Sequence, residues 1–166
     1  MRTTHCPHCK GRFLRWSRES TLLSSLLSRV CRFPFRCQLC GHRFWAFNTE
    51  VAETDDDTSD RREYDRISAK YPIAFIGDDA LGDGSISNLS IHGCMIHTPR
   101  PAPLAAVISL SLFDSTSDAP IDIAKALVRH RSGKGFGVEF QRVNPTQEKR
   151  LRLRLSVLLS GVANDC

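Results

Sequence analysis

The chain has 166 residues, of which 41% are hydrophobic and 25% are charged. This length and composition suit one ordinary domain with a small additional module, and they exclude a coiled-coil rod and a disordered chain. The longest apolar stretches are about ten residues and are broken by Ser, so the sequence predicts no membrane-spanning segment. The polar, basic start does not match a secretory signal. Two C-x-x-C pairs among the seven cysteines indicate metal thiolates rather than disulfides, and we therefore expect a cytoplasmic protein.

The net charge of +5 is distributed unevenly along the chain. Residues 1–50 carry nine Lys or Arg and two acidic residues, for a net charge of +7. Residues 51–60 carry five acidic residues and no basic one, and residues 61–166 carry fourteen basic and eleven acidic residues. Glu53–Asp60 has no apolar residue to bury, and like charges at this density extend the backbone. The charge pattern therefore predicts a domain at 1–50, an acidic linker at 51–60 and a second domain at 61–166.

Two C-x-x-C pairs dominate the first segment: Cys6-Pro7-His8-Cys9 and Cys37-Gln38-Leu39-Cys40. Two residues between thiolates allow one turn to direct both sulfurs to one ion, and Gly41 suits the left-handed position that often follows such a turn. Four thiolates complete the tetrahedral coordination of Zn²⁺ and leave no open position. The spacing therefore predicts a structural zinc site with Cys6, Cys9, Cys37 and Cys40 as ligands, in a module that resembles a zinc ribbon.

Other interpretations of this segment stay open. A rubredoxin-like iron site or a redox-active thiol pair would use the same cysteines, while His5, His8, His42 and Cys31 are interpreted as bystanders. An apolar stripe at Thr21–Leu27 predicts a short helix or a hydrophobic insert. The aromatic residues near the second pair predict a small core against the metal, but together with the basic residues they would also suit single-stranded nucleic acid: Phe33, Phe35, Phe44 and Trp45.

Beyond the linker, short apolar runs and turn residues predict a β-rich domain. Turn-rich sequence is expected at Gly77–Gly84 and at Arg131–Gly135. Six strands are predicted: Tyr71–Ile76, Ser85–Leu89, Gly93–Thr98, Ala105–Phe113, Ile121–His130 and Phe136–Phe140. The pattern therefore favours a small barrel or sandwich.

A helix is predicted at the end of the chain, where Asn144 suits the cap and Pro145 the first turn. Apolar residues recur at helical spacing from Leu151 to Val162, and basic residues fill much of the other face: Lys149, Arg150, Arg152 and Arg154. The apolar stripe is explained by packing across a barrel mouth. The basic face leaves a membrane-surface interpretation open.

Two motifs in the second segment indicate a function. Arg62-Glu63-Tyr64-Asp65-Arg66 directly follows the linker, with Arg61 before it, and Asn88-Leu89-Ser90-Ile91-His92-Gly93 comes 21 residues later. Arginine forms bidentate hydrogen bonds with phosphate or with guanine and offers a plane for stacking. In their order and separation, followed by Gly135–Phe140 and a helix, these motifs resemble the PilZ domain family, receptors for the bacterial messenger cyclic di-GMP.

The resemblance covers about residues 60–160 and implies a mainly β fold, an antiparallel six-stranded barrel with a C-terminal helix. It also implies that Arg62 and Arg66 hold the ligand from a flexible segment while Asn88 and Ser90 offer hydrogen bonds from the barrel. Gly93 would allow close backbone approach, and Arg61 would stack on a second ligand molecule. The family more often has Asp where this chain has Asn88, which predicts a weaker contact with guanine. Tyr64 would add an aromatic surface or pack on the barrel.

We therefore predict a cytoplasmic signalling receptor in which capture of cyclic di-GMP reorients the zinc ribbon towards a protein partner. The order–disorder change of the arginine segment would drive this movement. No nucleophile, base and acid occur at motif spacing, so an enzyme is not expected. The alternatives are a nucleic-acid-binding regulator that acts through the basic ribbon, which is recognised by salt-sensitive binding, and a scaffold that binds no ligand.

Overall fold

The structure is a computed structural model and describes residues 5–16, 32–47, 64–78, 80–114, 119–133 and 135–162. The predicted helix or insert at Thr21–Leu27 and the acidic linker at 51–60 lie outside these residues. The chain divides into two compact units, Met1–Asp65 and Arg66–Cys166. Among the described residues, no helix combines the length and hydrophobicity needed to span a bilayer.

The first unit contains a three-stranded antiparallel sheet in the order β1-β2-β3. Its strands are β1 (Leu14–Trp16), β2 (Arg32–Cys37) and β3 (Arg43–Phe47). Phe35 is buried on the central strand, while Phe33 and Phe44 are half-buried and Trp45 is exposed. The predicted aromatic core therefore forms around Phe35, and Trp45 is not buried in it.

The second unit consists of strands connected mostly by short turns, followed by a helix. The strands are β4 (Ile67–Ser68), β5 (Pro72–Gly77), β6 (Ala80–Ser90), β7 (Gly93–His97), β8 (Val107–Leu112), β9 (Ile121–Ser132) and β10 (Gly135–Val143). Six of them form a closed ring in the order β6-β5-β8-β9-β10-β7, because β7 also pairs with β6. The two-residue β4 adds to β6 at Ile67 and Leu89. The predicted six-stranded antiparallel barrel is confirmed.

The barrel core follows the period-two alternation of the strands. On β8 the side chains of Ile108, Leu110 and Leu112 are buried, and Val107 and Ser109 are exposed, as the sequence pattern predicts. The rings of Phe75 and Phe136 meet edge to face in the core, with their centroids 5.3 Å apart. Such pairs add to the stabilisation gained from burying the two side chains.

Two predicted turn regions contain a turn but are longer than the turn in the structure. Gly77–Gly84 was expected to be turn-rich, but β6 begins at Ala80 and its first six residues pair with β5. The turn prediction at Arg131–Gly135 is also too long, since β9 continues to Ser132 and β10 begins at Gly135. In both places ladder hydrogen bonds override the local turn preference of Gly and Asp. The hairpins of the barrel are consequently longer and tighter than predicted.

Helix α1 (Pro145–Val162) begins where the sequence predicts it. The side-chain oxygen of Asn144 accepts a hydrogen bond from the backbone N–H of Thr146 at 2.9 Å, which caps the first turn. The helix packs against β9 and β4. It buries Leu151 and Leu155, which each contribute about 2 kcal/mol to the hydrophobic stabilisation.

Two of the basic residues predicted on the face of α1 opposite its apolar stripe make contacts with the barrel. The Arg150 guanidinium donates hydrogen bonds to the backbone carbonyls of Ala119 and Pro120. Arg154 is largely buried and forms an ion pair with Asp114, with 2.9 Å between Nη2 and Oδ1. Lys149 is exposed. The sequence periodicity identified the apolar stripe but could not show that long basic side chains reach back to the barrel.

Candidate functional site

The two C-x-x-C segments fold into matching turns. In the first, the N–H of Lys10 donates to the Cys6 carbonyl and the N–H of Cys6 donates to the Gly11 carbonyl, both at 2.9 Å. In the second, the N–H of Gly41 donates to the Cys37 carbonyl at 2.9 Å and the N–H of Cys37 donates to the His42 carbonyl at 3.0 Å.

The residue after each pair is left-handed, with φ of 61° at Lys10 and 72° at Gly41. The left-handed conformation predicted at Gly41 is confirmed. The equivalent position at Lys10 was missed, because Lys gives no sequence signal for positive φ.

These turns bring the four predicted sulfurs together. Their Sγ atoms all lie within 4.8 Å of one another, with 3.6 Å between Cys6 and Cys40 and 3.5 Å between Cys9 and Cys37. Four sulfurs in a tetrahedron at 2.3 Å from Zn²⁺ would be about 3.8 Å apart. The cluster therefore fits a tetrahedral thiolate centre, and these four cysteines could hold a metal ion.

Burial and local hydrogen bonds both shift the pKa values of these thiols. Burial raises the pKa of Cys40 to about 11, and it raises the pKa of Cys37 still further. At Cys9, burial also acts to raise the pKa, but hydrogen bonds from the Gly11 backbone and from the other three cysteines outweigh it and the pKa is lowered. Backbone N–H groups of Leu39 and Cys40 favour the Cys37 thiolate, and that of His42 favours the Cys40 thiolate. The turns thus supply the donors that a bound thiolate cluster needs.

The nearby histidines lie beside the cluster. The rings of His8 and His42 stack with centroids 5.5 Å apart, and both residues are exposed. Over the described ranges, the potential metal ligands that come together are the four cysteines alone.

Asn88 and Ser90 lie near the end of β6, and Gly93 begins β7. The strand predicted at Ser85–Leu89 continues in the structure to Ser90, and the turn before β7 is confined to Ile91 and His92. The register shifts between Ile86 and Asn88, which leaves Ser87 in a bulge directly before the motif. Bulges redirect the side chains of the bulged strand.

The three motif residues have different environments. The Oδ1 atom of Asn88 is buried without a hydrogen-bond partner among the described residues. The hydroxyl of Ser90 donates to the backbone carbonyl of Gly93 at 3.0 Å, across the turn. A Cβ atom at Gly93 would lie 2.2 Å from the Val138 carbonyl oxygen of β10. Gly93 therefore allows close approach, but the approaching group in the structure is a neighbouring strand.

Arg66 is placed beside this motif by the short strand β4. Ile67 pairs with Leu89 and Ser68 pairs with Asn88, and extending this register by one residue puts Arg66 opposite Ser90. The side chain of Arg66 is exposed, and its charge acts on the buried thiol of Cys94 on β7. Arg61 and Arg62 lie outside the described residues.

Two contacts near the motif were missed from the sequence. The phenol oxygen of Tyr71 accepts a hydrogen bond from Arg154 Nε at 2.5 Å, and the Arg154 guanidinium lies 5.0 Å from the ring centroid. His97 Nε2 lies 2.8 Å from the hydroxyl of Ser87 in the bulge. Residues 83 positions apart, such as Tyr71 and Arg154, leave no periodic signal in a single sequence.

Comparison with known proteins identifies the second unit. The model of the PilZ domain matches residues 60–155, more than half of the chain. Among solved structures, the chain is similar to the crystal structure of the PilZ domain of CeSA from a cellulose-synthesizing bacterium, with 17% identity and a TM-score of 0.45 over 58% of this chain and 98% of that one. The comparison with curated proteins gives no match. The match to the family model shows that this chain belongs to the PilZ domain family.

Proposed function

We propose that this protein is a receptor for cyclic di-GMP and that its ligand site is formed by Arg62, Arg66, Asn88 and Ser90. The general role of PilZ domains as receptors for this dinucleotide supports the proposal. Arg62 and Arg66 supply bidentate donors to phosphate or guanine. Arg61 stacks on a second ligand molecule if one is bound.

The observation that carries the proposal is the position of Arg66 beside an unsatisfied acceptor. The register of β4 and β6 puts Arg66 at the end of β6 that bears Asn88 and Ser90. The Oδ1 atom of Asn88 is buried and has no hydrogen-bond partner in the part of the chain that the structure describes, and such an acceptor costs about 1–3 kcal/mol. The N–H groups of a guanine edge would satisfy it once the amide turns towards the ligand, while Arg66 supplies the positive charge for phosphate.

Ser90 and Gly93 have a supporting role in this proposal. The hydrogen bond from Ser90 to Gly93 holds the turn between β6 and β7, and the hydroxyl oxygen remains able to accept from the ligand. The close approach of Gly93 to β10 fixes the same turn. The motif therefore shapes the rim of the barrel as well as contacting the dinucleotide.

The four-cysteine module (residues 5–16 and 32–47 of the first unit) is proposed to hold a structural Zn²⁺. The sulfur spacing, the backbone donors and the left-handed residues support this assignment. A bound zinc ion supplies only folding energy in a site whose four positions are occupied by protein ligands. A partner protein would bind through this module or the barrel, and a cytoplasmic location suits reduced thiolates.

Ligand capture would then act on the placement of the four-cysteine module. Ordering Arg62 and Arg66 on the barrel restricts the segment that connects the two units. A ligand shifts such an equilibrium by its differential affinity for the ordered state. Binding energy at the barrel would thereby redirect the module towards its partner.

Isothermal calorimetry with cyclic di-GMP tests the receptor function. The zinc-loaded full chain should bind at micromolar concentration or tighter, and Arg62→Ala or Arg66→Ala should weaken binding by about 10- to 150-fold, since each removes charge-assisted hydrogen bonds. Arg100→Ala is the matched control, because Arg100 is exposed just beyond the end of β7 away from Gly93. Equal affinity for all three variants would reject the assigned site.

A further inference from the structure

Three arginines of the four-cysteine module lie in a row across its sheet. Arg15 of β1 pairs with Arg36 of β2, and Arg36 pairs with Arg43 of β3. Residues directly opposite in antiparallel strands share one face, where like charges repel each other. We call Arg15, Arg36 and Arg43 the arginine row. Contacts with anionic or aromatic groups offset this repulsion.

Tyr64 and Asp65 supply these contacts within the same unit of the structure. Arg36 is only 4% exposed; its Nη1 donates to the Tyr64 hydroxyl at 2.9 Å, and its guanidinium lies 5.0 Å from the centroid of the Tyr64 ring. The carboxylate of Asp65 forms an ion pair with Arg15. Tyr64 was expected to face the ligand or the barrel, and instead it contacts the arginine row.

A third contact involves the metal site itself. The backbone N–H of Asp65 donates to Gln38 Oε1 at 2.8 Å. Gln38 is buried and lies between Cys37 and Cys40 in the second cysteine turn. The position of Asp65 therefore depends on the fold of the cysteine turn as well as on the arginine row.

Tyr64 and Asp65 lie at a point in the chain where their contacts act on the proposed ligand motif. Tyr64 and Asp65 lie inside the Arg62–Arg66 motif, and Ile67 is already paired with Leu89 of the barrel. Arg66 is therefore the one residue between Asp65, which contacts the four-cysteine module, and Ile67, which pairs with the barrel strand β6. Holding Tyr64 and Asp65 restricts the backbone directly before Arg66 and so restricts the positions that Arg66 can adopt.

We propose that Arg15, Arg36 and Gln38 are positioning residues for the dinucleotide motif. They hold Tyr64 and Asp65 before the ligand arrives, so that ligand binding orders fewer residues. This inference rests on the proposed function. Because fixing the backbone of even one residue is costly, release of this segment weakens binding of cyclic di-GMP by about tenfold.

Hydrogen exchange tests the holding contact without any ligand. In the zinc-loaded full chain, the Asp65 amide should exchange more slowly than in an unstructured peptide, by about tenfold or more. Gln38→Ala and Arg15→Glu should remove most of this protection, while Arg12→Glu should keep it. Arg12→Glu makes the same charge change at an exposed position of the same module, and retained metal shows that each variant is folded. An unprotected Asp65 amide in the wild type would overturn the inference.

Calorimetry with cyclic di-GMP tests the positioning role. Arg15→Glu should weaken binding by about tenfold and Arg12→Glu should leave it unchanged. Exchanging the charges of the pair, Arg15→Glu with Asp65→Lys, should recover affinity relative to either single change. Equal affinity of wild type and Arg15→Glu would overturn the positioning role alone. A wild type that does not bind cyclic di-GMP would overturn the proposed function and the positioning role together. The hydrogen-exchange experiment would then still show whether Tyr64 and Asp65 are held by the four-cysteine module.

Discussion

Individual residues at the β6–β7 turn have structural roles in addition to the binding roles that we propose for them. Gly93 faces the Val138 carbonyl, Ser90 bonds across the turn, and Asn88 keeps an acceptor that has no partner among the described residues. The sequence motif predicted that these residues act together. It could not separate their roles, because the approach of β10 to Gly93 depends on pairing between strands that are distant in sequence.

Gly93→Ala should destabilise the barrel by about 2–3 kcal/mol, because the new Cβ would force β7 away from β10. Chemical unfolding of the barrel measures this effect. Gly133→Ala is the control, since a Cβ at Gly133 meets nothing within 4 Å, and its cost should stay below about 0.5 kcal/mol. Similar losses in the two variants would contradict the close approach.

Cys94 should make the stability fall with pH in the alkaline range. Burial raises the pKa of the Cys94 thiol from 9.0 to about 12, and the nearby charge of Arg66 only partly opposes this. The folded state therefore holds the proton more tightly than the unfolded state, so the contribution is present below pH 9 and is lost as the pH rises towards 12.

Chemical unfolding between about pH 9 and 11 should show that the free energy of unfolding falls more steeply with pH in the wild type than in Cys94→Ala, by about 1.4 kcal/mol per pH unit. Tyr and Lys titrate in both proteins and cancel in the comparison. Parallel slopes would show that the thiol is not buried in the barrel.

At the scale of elements, strand positions followed from the sequence more closely than strand lengths. The alternation of apolar and polar residues predicted the position of β8, and apolar residues at helical spacing predicted the position of α1. The extension of β6 through Gly82, Asp83 and Gly84 was missed because ladder pairing with β5 outweighs their turn preference. The docking of α1 through Arg154 was also missed, since the ion pair with Asp114 depends on tertiary contacts.

Arg154→Ala should reduce the unfolding free energy by about 2–4 kcal/mol, because it leaves the largely buried Asp114 carboxylate without this partner and removes the stacking on Tyr71. Denaturant unfolding of the full chain measures the loss. The same experiment on Lys149→Ala, an exposed residue of α1, should show a change below about 0.5 kcal/mol. An Arg154→Ala loss as small as that of Lys149→Ala would refute the docking role.

The four-cysteine module should retain one zinc ion per chain through its cysteines alone. Cys9→Ser and Cys40→Ser should lose the metal, since each removes a thiolate from the tetrahedron. His8→Ala and His42→Ala are the matched controls and should keep it, because these histidines lie beside the cluster. Elemental analysis after gel filtration measures the content. Iron in the wild type, or metal lost from a histidine variant, would contradict the zinc assignment.

The whole molecule consists of two units whose chain connection coincides with the proposed ligand motif. The barrel was predictable because its strands and helix follow regular periods in the sequence. The contacts of Tyr64 with Arg36 and of Asp65 with Gln38 were not, since they join residues 28 and 27 positions apart without a pattern. Arg66 lies between these contacts and the barrel strand β4.

Titration of the zinc-loaded full chain with cyclic di-GMP tests the central claim most directly. We expect saturable binding at micromolar concentration or tighter, with one or two ligand molecules per chain. Cyclic di-AMP should give no comparable heat, because its adenine edge lacks the adjacent ring and amino N–H donors with which guanine would satisfy Asn88 Oδ1. No binding of cyclic di-GMP by the folded, zinc-loaded protein would contradict the account.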